Sequence, residues 1–305
     1  MALIQIKNTT TTSKYNYEPA DQGSDYLNTM ELNLGFIGGG NMSTAIVKGI
    51  IKSGVHPASK IWVAGPHIEN LKHWSDMGTN VTSENGVVFD NCDMIFLGVK
   101  VNKLQSAIQD IKLTAKSTAK EVLFVSMLAG VQIKDLHETI NSHLPGVKAS
   151  VIRIMPNTPM TVGAGICLYT PDHTVMQSKC LILEKLVSGS ALCEKVPEEY
   201  MDSLGALTAC GPAYMYVVIE ALADGAVKQG VPRAMAMRHA AQMVVGSGHM
   251  VLQSGKHPGL LKDEVCSPGG STICGITALE NGKLRATLIN ALELSTIRNK
   301  ELGKK

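Results

Sequence analysis

Leu34-Gly35-Phe36-Ile37-Gly38-Gly39-Gly40-Asn41-Met42-Ser43 runs from an apolar strand into a glycine turn and on into a helix. Gly38 permits the tight turn. Gly40 lets the backbone approach a pyrophosphate at the helix N-terminus, where free amides and the helix dipole favour anions. The pattern is Gly-x-Gly-x-x-Gly with Ser43 in the third glycine's place, and serine is still small enough for close helix–strand packing. A bare tight turn is the alternative. The first-strand position and the alternation behind it favour a dinucleotide site.

Outward from this turn, short apolar runs alternate with helical stretches. Strands are predicted at 34–38, 61–64, 93–99, 121–127, 150–155 and 164–169, and helices near 42–53, 68–76, 102–112 and 133–142. Such spacing predicts an α/β class: a Rossmann-type, doubly wound parallel sheet covered on both faces, over residues 32–172. After about residue 173 strand signals nearly vanish, and residues 173–305 read as an all-helical second domain. Pro212 fits a first-turn proline for a helix over 213–229, with Gly230 as its stop. Pro232 opens a helix reaching Ser254 and Gly255, and a third runs from Gly269–Gly270 to Asn281–Gly282. The last helix aligns Leu284, Leu288, Ala291, Leu292 and Ser295 on one stripe. Residues 214–226 are apolar nearly all round, which a helical domain of this size cannot bury alone. A second copy of the chain would bury them, so a homodimer built from these helices is expected, with a higher ring of dimers left open.

A length of 305 residues fits two domains. Lys plus Arg number 28 against 26 for Asp plus Glu, so a net charge of +2 makes no case for nucleic acid or an anionic membrane. No uninterrupted apolar run reaches membrane-spanning length; residues 215–226 are broken by Glu220 and Asp224. Seven cysteines with no Cys-x-x-Cys pair argue against a disulfide framework or a zinc site, and no metal is expected. Reduced, mostly buried thiols in an intracellular protein are the simplest reading. Residues 1–31 hold a threonine run, Thr9 to Thr12, and the acids Glu18, Asp21, Asp25 and Glu31, without arginine. They read as a disordered extension of a cytoplasmic protein, with a mitochondrial address as the alternative.

Cofactor chemistry depends on the residues at the carboxyl end of each strand. The second strand ends Trp62-Val63-Ala64-Gly65-Pro66-His67, where an NAD site usually places an acid on the ribose hydroxyls. The nearest acid is Glu69, inside the next helix. Gly65 leaves room for a 2′-phosphate, and His67, Lys72 and His73 lie near it in sequence; this favours NADP, though a solvated helix face explains Lys72 and His73 equally well. Gly98-Val99-Lys100 and Met127-Leu128-Ala129 close two further strands, where ligands bind on open parallel sheets. Ser267-Pro268-Gly269-Gly270-Ser271-Thr272 places small, donor-rich residues at a helix start. Its amides and hydroxyls could grip a carboxylate, or merely cap the helix; from the residues alone the two readings stand level.

The segment from Pro258 to Glu280 resembles the signature of pyrroline-5-carboxylate reductases, position by position. Gly35–Met42, Val99-Lys100, Ala129-Gly130, Arg153–Pro159, Gly211–Tyr214 and Glu220–Gly225 agree with it, so the likeness spans about residues 33–302. The resemblance implies a Rossmann domain, then a helical domain interlocked with a second subunit, and reduction of a cyclic imino acid, the last step of proline synthesis. It implies a cofactor contact at Asn85 besides Ile37, Gly38, Gly39, Gly40, Asn41, Met42, Gly65, Gly98, Val99, Lys100, Met127 and Ala129, and extends these to Glu198. It implies a carboxylate site at Ser267, Gly269, Gly270, Ser271 and Thr272. Four places depart from the family pattern: Val101 stands for proline, Thr208-Ala209-Cys210 for Ser-Gly-Ser, Glu264 for asparagine and Gly255 for glutamate.

A protonated cyclic imine is already electrophilic, so positioning does most of the catalysis and can supply roughly 7 kcal/mol or more. The amides and hydroxyls around Gly270–Thr272 are expected to hold the carboxylate. Thr272, with Ser271 beside it, is the candidate contact to the ring nitrogen. A 3-hydroxyacid dehydrogenase with Lys228 as acid–base is one rival. A non-catalytic NADP-binding regulator is another, and it would need no substrate segment at 258–280.

Overall fold

Period-two alternation along the strands sorts the apolar residues onto two faces of one sheet. In β1 (Leu34–Ile37), Leu34 and Phe36 enter one core and Ile37 the other. The computed structural model describes residues 31–117 and 119–303. The extension expected over residues 1–31 falls, but for Glu31, outside them.

Helix α1 (Asn41–Ser53) buries Ser43, Ala45, Ile46, Val47 and Ile50 and ends on Gly54 in the left-handed conformation. Then come β2 (Ile61–Ala64), the short α2 (Lys72–Ser75), β3 (Asn80–Thr82), α3 (Asn85–Asn91), β4 (Met94–Leu97), α4 (Leu104–Thr114), β5 (Glu121–Ser126), α5 (Ile133–His143), β6 (Lys148–Pro156), β7 (Gly165–Pro171), α6 (Gln177–Val187) and β8 (Ala191–Lys195). The strand order is β3-β2-β1-β4-β5-β6-β7-β8, with only the β6–β7 pair antiparallel. Trp74 and the apolar sides of α1 and α6 cover one face, where Phe36 stacks on Phe96 with centroids 4.6 Å apart. Helices α3, α4 and α5 cover the other through Val88, Phe89, Ile108, Ile111, Leu136 and Ile140. The order reverses at β1, between β2 and β4, which is where such sheets bind nucleotides.

The sheet runs past the boundary expected between residues 172 and 173, continuing through α6 to β8. The β8 signal is weak because only Ala191 and Cys193 pack on the core while Leu192, Glu194 and Lys195 lie exposed. By contacts, the described residues 31–216 and those from Arg285 onward form one unit, and Val217–Leu284 another. The C-terminal helix therefore belongs with the sheet.

After β8 come α7 (Met201–Gly205), a π-turn over Ala206–Cys210, and α8 (Gly211–Lys228). Pro212 thus sits inside one continuous helical run rather than at a first turn. Proline lacks the N–H that would bond the Thr208 carbonyl. Asn157 Nδ2 donates to that carbonyl instead, at 3.0 Å, and the π-turn takes up the missing bond. Within the run Glu198–Lys228 an 18-residue window has mean hydropathy 1.4, long and apolar enough by composition alone to cross a membrane. The run's first turns instead pack on the sheet, where Met201, Leu204 and Ala209 join Met155 and Leu168.

The second unit holds the rest of α8, α9 (Arg233–Ser254), α10 (Pro258–Val265) and α11 (Ser271–Asn281). Its buried seam is small: Ala223, Ala236 and Ala240, with Ile219, Val227 and Val231 against them. Many large apolar residues stay exposed there, including Val217, Leu222, Met243, Met250 and Leu252. Helix α12 (Leu284–Leu302) returns to the sheet unit, where the Tyr214 hydroxyl meets the Ala291 carbonyl and the Ser295 hydroxyl.

Candidate functional site

Two glycine-rich helix starts, one in each unit, lack a side-chain cap. In the sheet unit, Ile37 ends β1, and Gly38 turns the chain at φ +100. A Cβ at Gly38 would lie 2.7 Å from the Gly98 carbonyl oxygen, so the turns after β1 and β4 meet backbone to backbone. Buried Ser43 locks the arrangement by donating to the Gly38 carbonyl at 2.7 Å, and a Cβ on Gly98 would overlap its hydroxyl. The serine in the third-glycine position is therefore a structural bond as well as a small residue. Gly39 gives its carbonyl to Trp74 Nε1 at 3.2 Å.

Gly40 is the N-cap of α1, with no side-chain cap and open space where a Cβ would stand. The amides of Asn41, Met42 and Ser43 start a helix of 13 residues with no acid in its first turn. A pyrophosphate fits this cradle in space and charge.

Gly65 is buried and donates to the Thr82 carbonyl at 3.2 Å; a Cβ there would sit 3.3 Å from Leu71 Cδ1. The exposed positions after β2 are Pro66 and His67, the latter 3.4 Å from Glu69. His73 Nε2 reaches Thr44 Oγ1 in the first turn of α1 at 3.1 Å. Asn85 begins α3, its amide donating to Asp110 at 2.8 Å and its Nδ2 to the Ala107 carbonyl at 3.1 Å, which leaves Oδ1 for a ligand. Val99 is half-buried and Lys100 exposed at the end of β4. The Met127 amide bonds the Leu97 carbonyl at 3.1 Å, and Ala129 is half-buried in the loop beyond β5.

Sequence reasoning missed an ion cluster around the buried Arg153. Arg153, only 1 % exposed on β6, donates to Asp202 Oδ1 at 2.7 Å and lies 3.5 Å from Glu198 Oε1. Glu198 also accepts the Ile133 amide at the start of α5, at 2.8 Å. The available signal was an arginine inside an apolar strand, which demands a partner. Asn157 was missed likewise; it bonds the Thr208 carbonyl and, through Oδ1, the Ile166 amide at 2.9 Å.

In the second unit, Ser267-Pro268-Gly269-Gly270 makes a turn, with Gly270 N bonding the Ser267 carbonyl at 3.0 Å and Gly269 at φ +70. Proline second and a left-handed glycine third suit a type II turn. Gly270 is the N-cap of α11 and has no side-chain cap. Ser271 and Thr272 are thus the first two helical residues, not caps, and their hydroxyls remain available beside three free amides. Two departures from the family pattern have local explanations: Gly255 caps α9 at φ +65, and Glu264 pairs with Lys256 at 2.6 Å.

All seven cysteines are free thiols; Cys92, Cys167 and Cys180 are buried and Cys274 is exposed. Burial pushes the Cys92 thiol well above the ordinary range, so it stays protonated. Among the described residues, no group of three acidic, histidine or cysteine side chains is placed to hold a metal ion.

A model described as pyrroline-5-carboxylate reductase dimerisation matches residues 198–302, and one described as NADP oxidoreductase, coenzyme F420-dependent, matches residues 33–130. Pyrroline-5-carboxylate reductase 3 of Danio rerio is 39% identical over 286 residues, covering 94% of this chain and 96% of that protein. The Glycine max pyrroline-5-carboxylate reductase is 40% identical over 272 residues, covering 88% and 96%. Among solved structures, the Plasmodium falciparum pyrroline carboxylate reductase with NADP bound is similar at TM-score 0.79 and 30% identity, covering 90% of this chain and 98% of that one.

Proposed function

This chain belongs to the pyrroline-5-carboxylate reductase family, and from that premise we propose that it reduces L-1-pyrroline-5-carboxylate to L-proline, with NADPH preferred, as a homodimer. The observation that carries the reading is the uncapped start of α11, where unengaged hydroxyls of Ser271 and Thr272 stand beside free amides. A carboxylate is the anion such a start takes from a small imino acid. The turn Gly38–Gly40 and the first amides of α1 hold the cofactor's pyrophosphate; Asn85, Gly98–Lys100, Met127 and Ala129 line its remaining length. When bound, NADPH supplies a hydride to the imine carbon. The chain's part is positional: Ser267–Thr272 fix the carboxylate, and Thr272 meets the ring nitrogen as the C=N bond becomes C–N and the nitrogen lone pair returns. No side chain need transfer a proton in the hydride step, since the protonated imine carries its proton throughout.

The NADPH preference rests on Pro66 and His67, exposed where an acid would repel a 2′-phosphate. A cytoplasmic setting is supported by the acid-bearing, arginine-free N-terminal segment. The test is loss of NAD(P)H absorbance with the cyclic imine, run with each cofactor. Oxidation no faster than an imine-free blank overturns the reaction, and equal or higher efficiency with NADH overturns the preference. His67→Asp should shift preference toward NADH, and is a cleaner probe than Gly65→Asp, whose Cβ would press on Leu71.

A further inference from the structure

The loop between β5 and α5 is held from two sides by parts of the chain that come far later. On one side runs a continuous series of contacts. The Ile133 amide donates to Glu198 Oε1 at 2.8 Å, and Glu198 lies 3.5 Å from Arg153 Nη1. Arg153 Nη2 donates to Asp202 Oδ1 at 2.7 Å, and Asn299 Nδ2 on α12 donates to the Asp202 carbonyl at 3.1 Å. On the other side, Gly130 at φ +77 lies backbone to backbone against the last turn of α12. A Cβ on Gly130 would stand 2.6 Å from the Gly303 amide nitrogen, and one on Gly303 would overlap the Gly130 carbonyl. The loop's near end meets the nucleotide turn, since Met127 Cε lies 2.9 Å from where a Gly98 Cβ would be.

We infer that the C-terminal turn Asn299–Gly303, together with the Arg153–Asp202–Glu198 cluster, positions the loop carrying Met127 and Ala129 and so sets the geometry of hydride transfer. The inference rests on the reading that this loop borders the nicotinamide. Ion pairs on a buried arginine stabilise less than apolar packing of the same volume; what Arg153 supplies here is fixed direction, through its contacts to Asp202 and Glu198. Contact between two glycines leaves the loop no side chain through which to slacken.

The test compares the parent with Asn299→Ala, Gly303→Leu and, as a control within the loop, Ala129→Leu. The measurements are kcat, KM, NADPH affinity by fluorescence, thermal midpoint, and the primary isotope effect with NADPH deuterated at the transferred position. Displacement on the ångström scale lowers kcat about tenfold or more. The expected result for Asn299→Ala and Gly303→Leu is that loss, with NADPH affinity within about twofold of the parent and a larger isotope effect, because hydride transfer becomes more fully limiting. Asn299→Ala removes only one hydrogen bond, and so covers the case in which Gly303→Leu does not fold. A lowered midpoint with parental kcat and isotope effect in Asn299→Ala, while Ala129→Leu loses activity, overturns the clamp. If Ala129→Leu also keeps parental kcat, the placement of the loop beside the nicotinamide is wrong, and the inference falls with it.

Discussion

Gly98 illustrates how one missing methyl group is decided by three neighbours. A Cβ there would overlap the Ser43 hydroxyl and crowd the Gly38 carbonyl and Met127. Gly98→Ala should push the two turns apart, lower stability by about 1–3 kcal/mol and weaken NADPH binding; urea unfolding and fluorescence titration would measure both. Unchanged binding would show that the close approach does not shape the cofactor cradle. Thr272 presents the opposite case, a side chain with no structural bond to lose. Thr272→Ala should lower kcat by about 1–3 kcal/mol of barrier while NADPH affinity and thermal midpoint stay near the parent's, and Thr272→Ser should recover most of the loss. Full activity in Thr272→Ala, or collapse of cofactor binding, would remove Thr272 from the site.

Among the elements, the β6–β7 pair and the long helix after β8 depend on polar side chains at their joints. Asp172, at the end of β7, accepts the Val151 amide at 2.7 Å, the Thr174 amide at 2.6 Å and the Thr174 hydroxyl, and lies 2.8 Å from His137 Nε2. Burial by itself would raise this carboxyl. The hydrogen bonds from Thr174, Val151 and His137 outweigh burial and hold it below the ordinary value. A lowered folded-state pKa means the contribution is complete above the unfolded carboxylate range near pH 4 and is lost as pH falls through the folded value. Asp172→Asn should therefore be less stable than the parent at neutral pH, and the gap should narrow in acid below about pH 4. A gap independent of pH would refute the assignment. Asn157→Ala should strand the Thr208 carbonyl and the Ile166 amide, at about 1–3 kcal/mol for each group. In a Pro212→Ala background the residue at 212 regains an N–H for Thr208, so the same change should cost less.

The whole molecule shows far more apolar surface on its C-terminal helices than a single chain covers, and the family's dimerisation domain spans this region, 198–302. Only Ala223, Ala236 and Ala240 are buried among the apolar residues of the second unit. If the homodimer is correct, the interface should resemble a core cut in half and exceed roughly 2,000 Å². Thermal midpoint should then rise with protein concentration, because folding and association are coupled. A folded, active monomer at nanomolar concentration, seen by mass photometry, would contradict this.

Local patterns carried much of the reading. Strand alternation located β1, β2 and β4 to β7, because each pattern is written within a few consecutive residues. The glycines and prolines that bound α9 and α11 were legible for the same reason, and the tight glycine turn Gly38–Ser43 was legible because its φ and packing demands are met by adjacent residues. Resemblance, rather than periodicity, singled out Asn85. The strand β8 was not legible, since half its residues face water and its place depends on pairing with β7. Nor was the π-turn, whose stability depends on Asn157, 51 residues before the carbonyl it satisfies. Arg153 finds Asp202 at a separation of 49 residues, and Asp202 finds Asn299 at 97. No window of the sequence contains such pairs; they exist only once the sheet and its covering helices have closed around them.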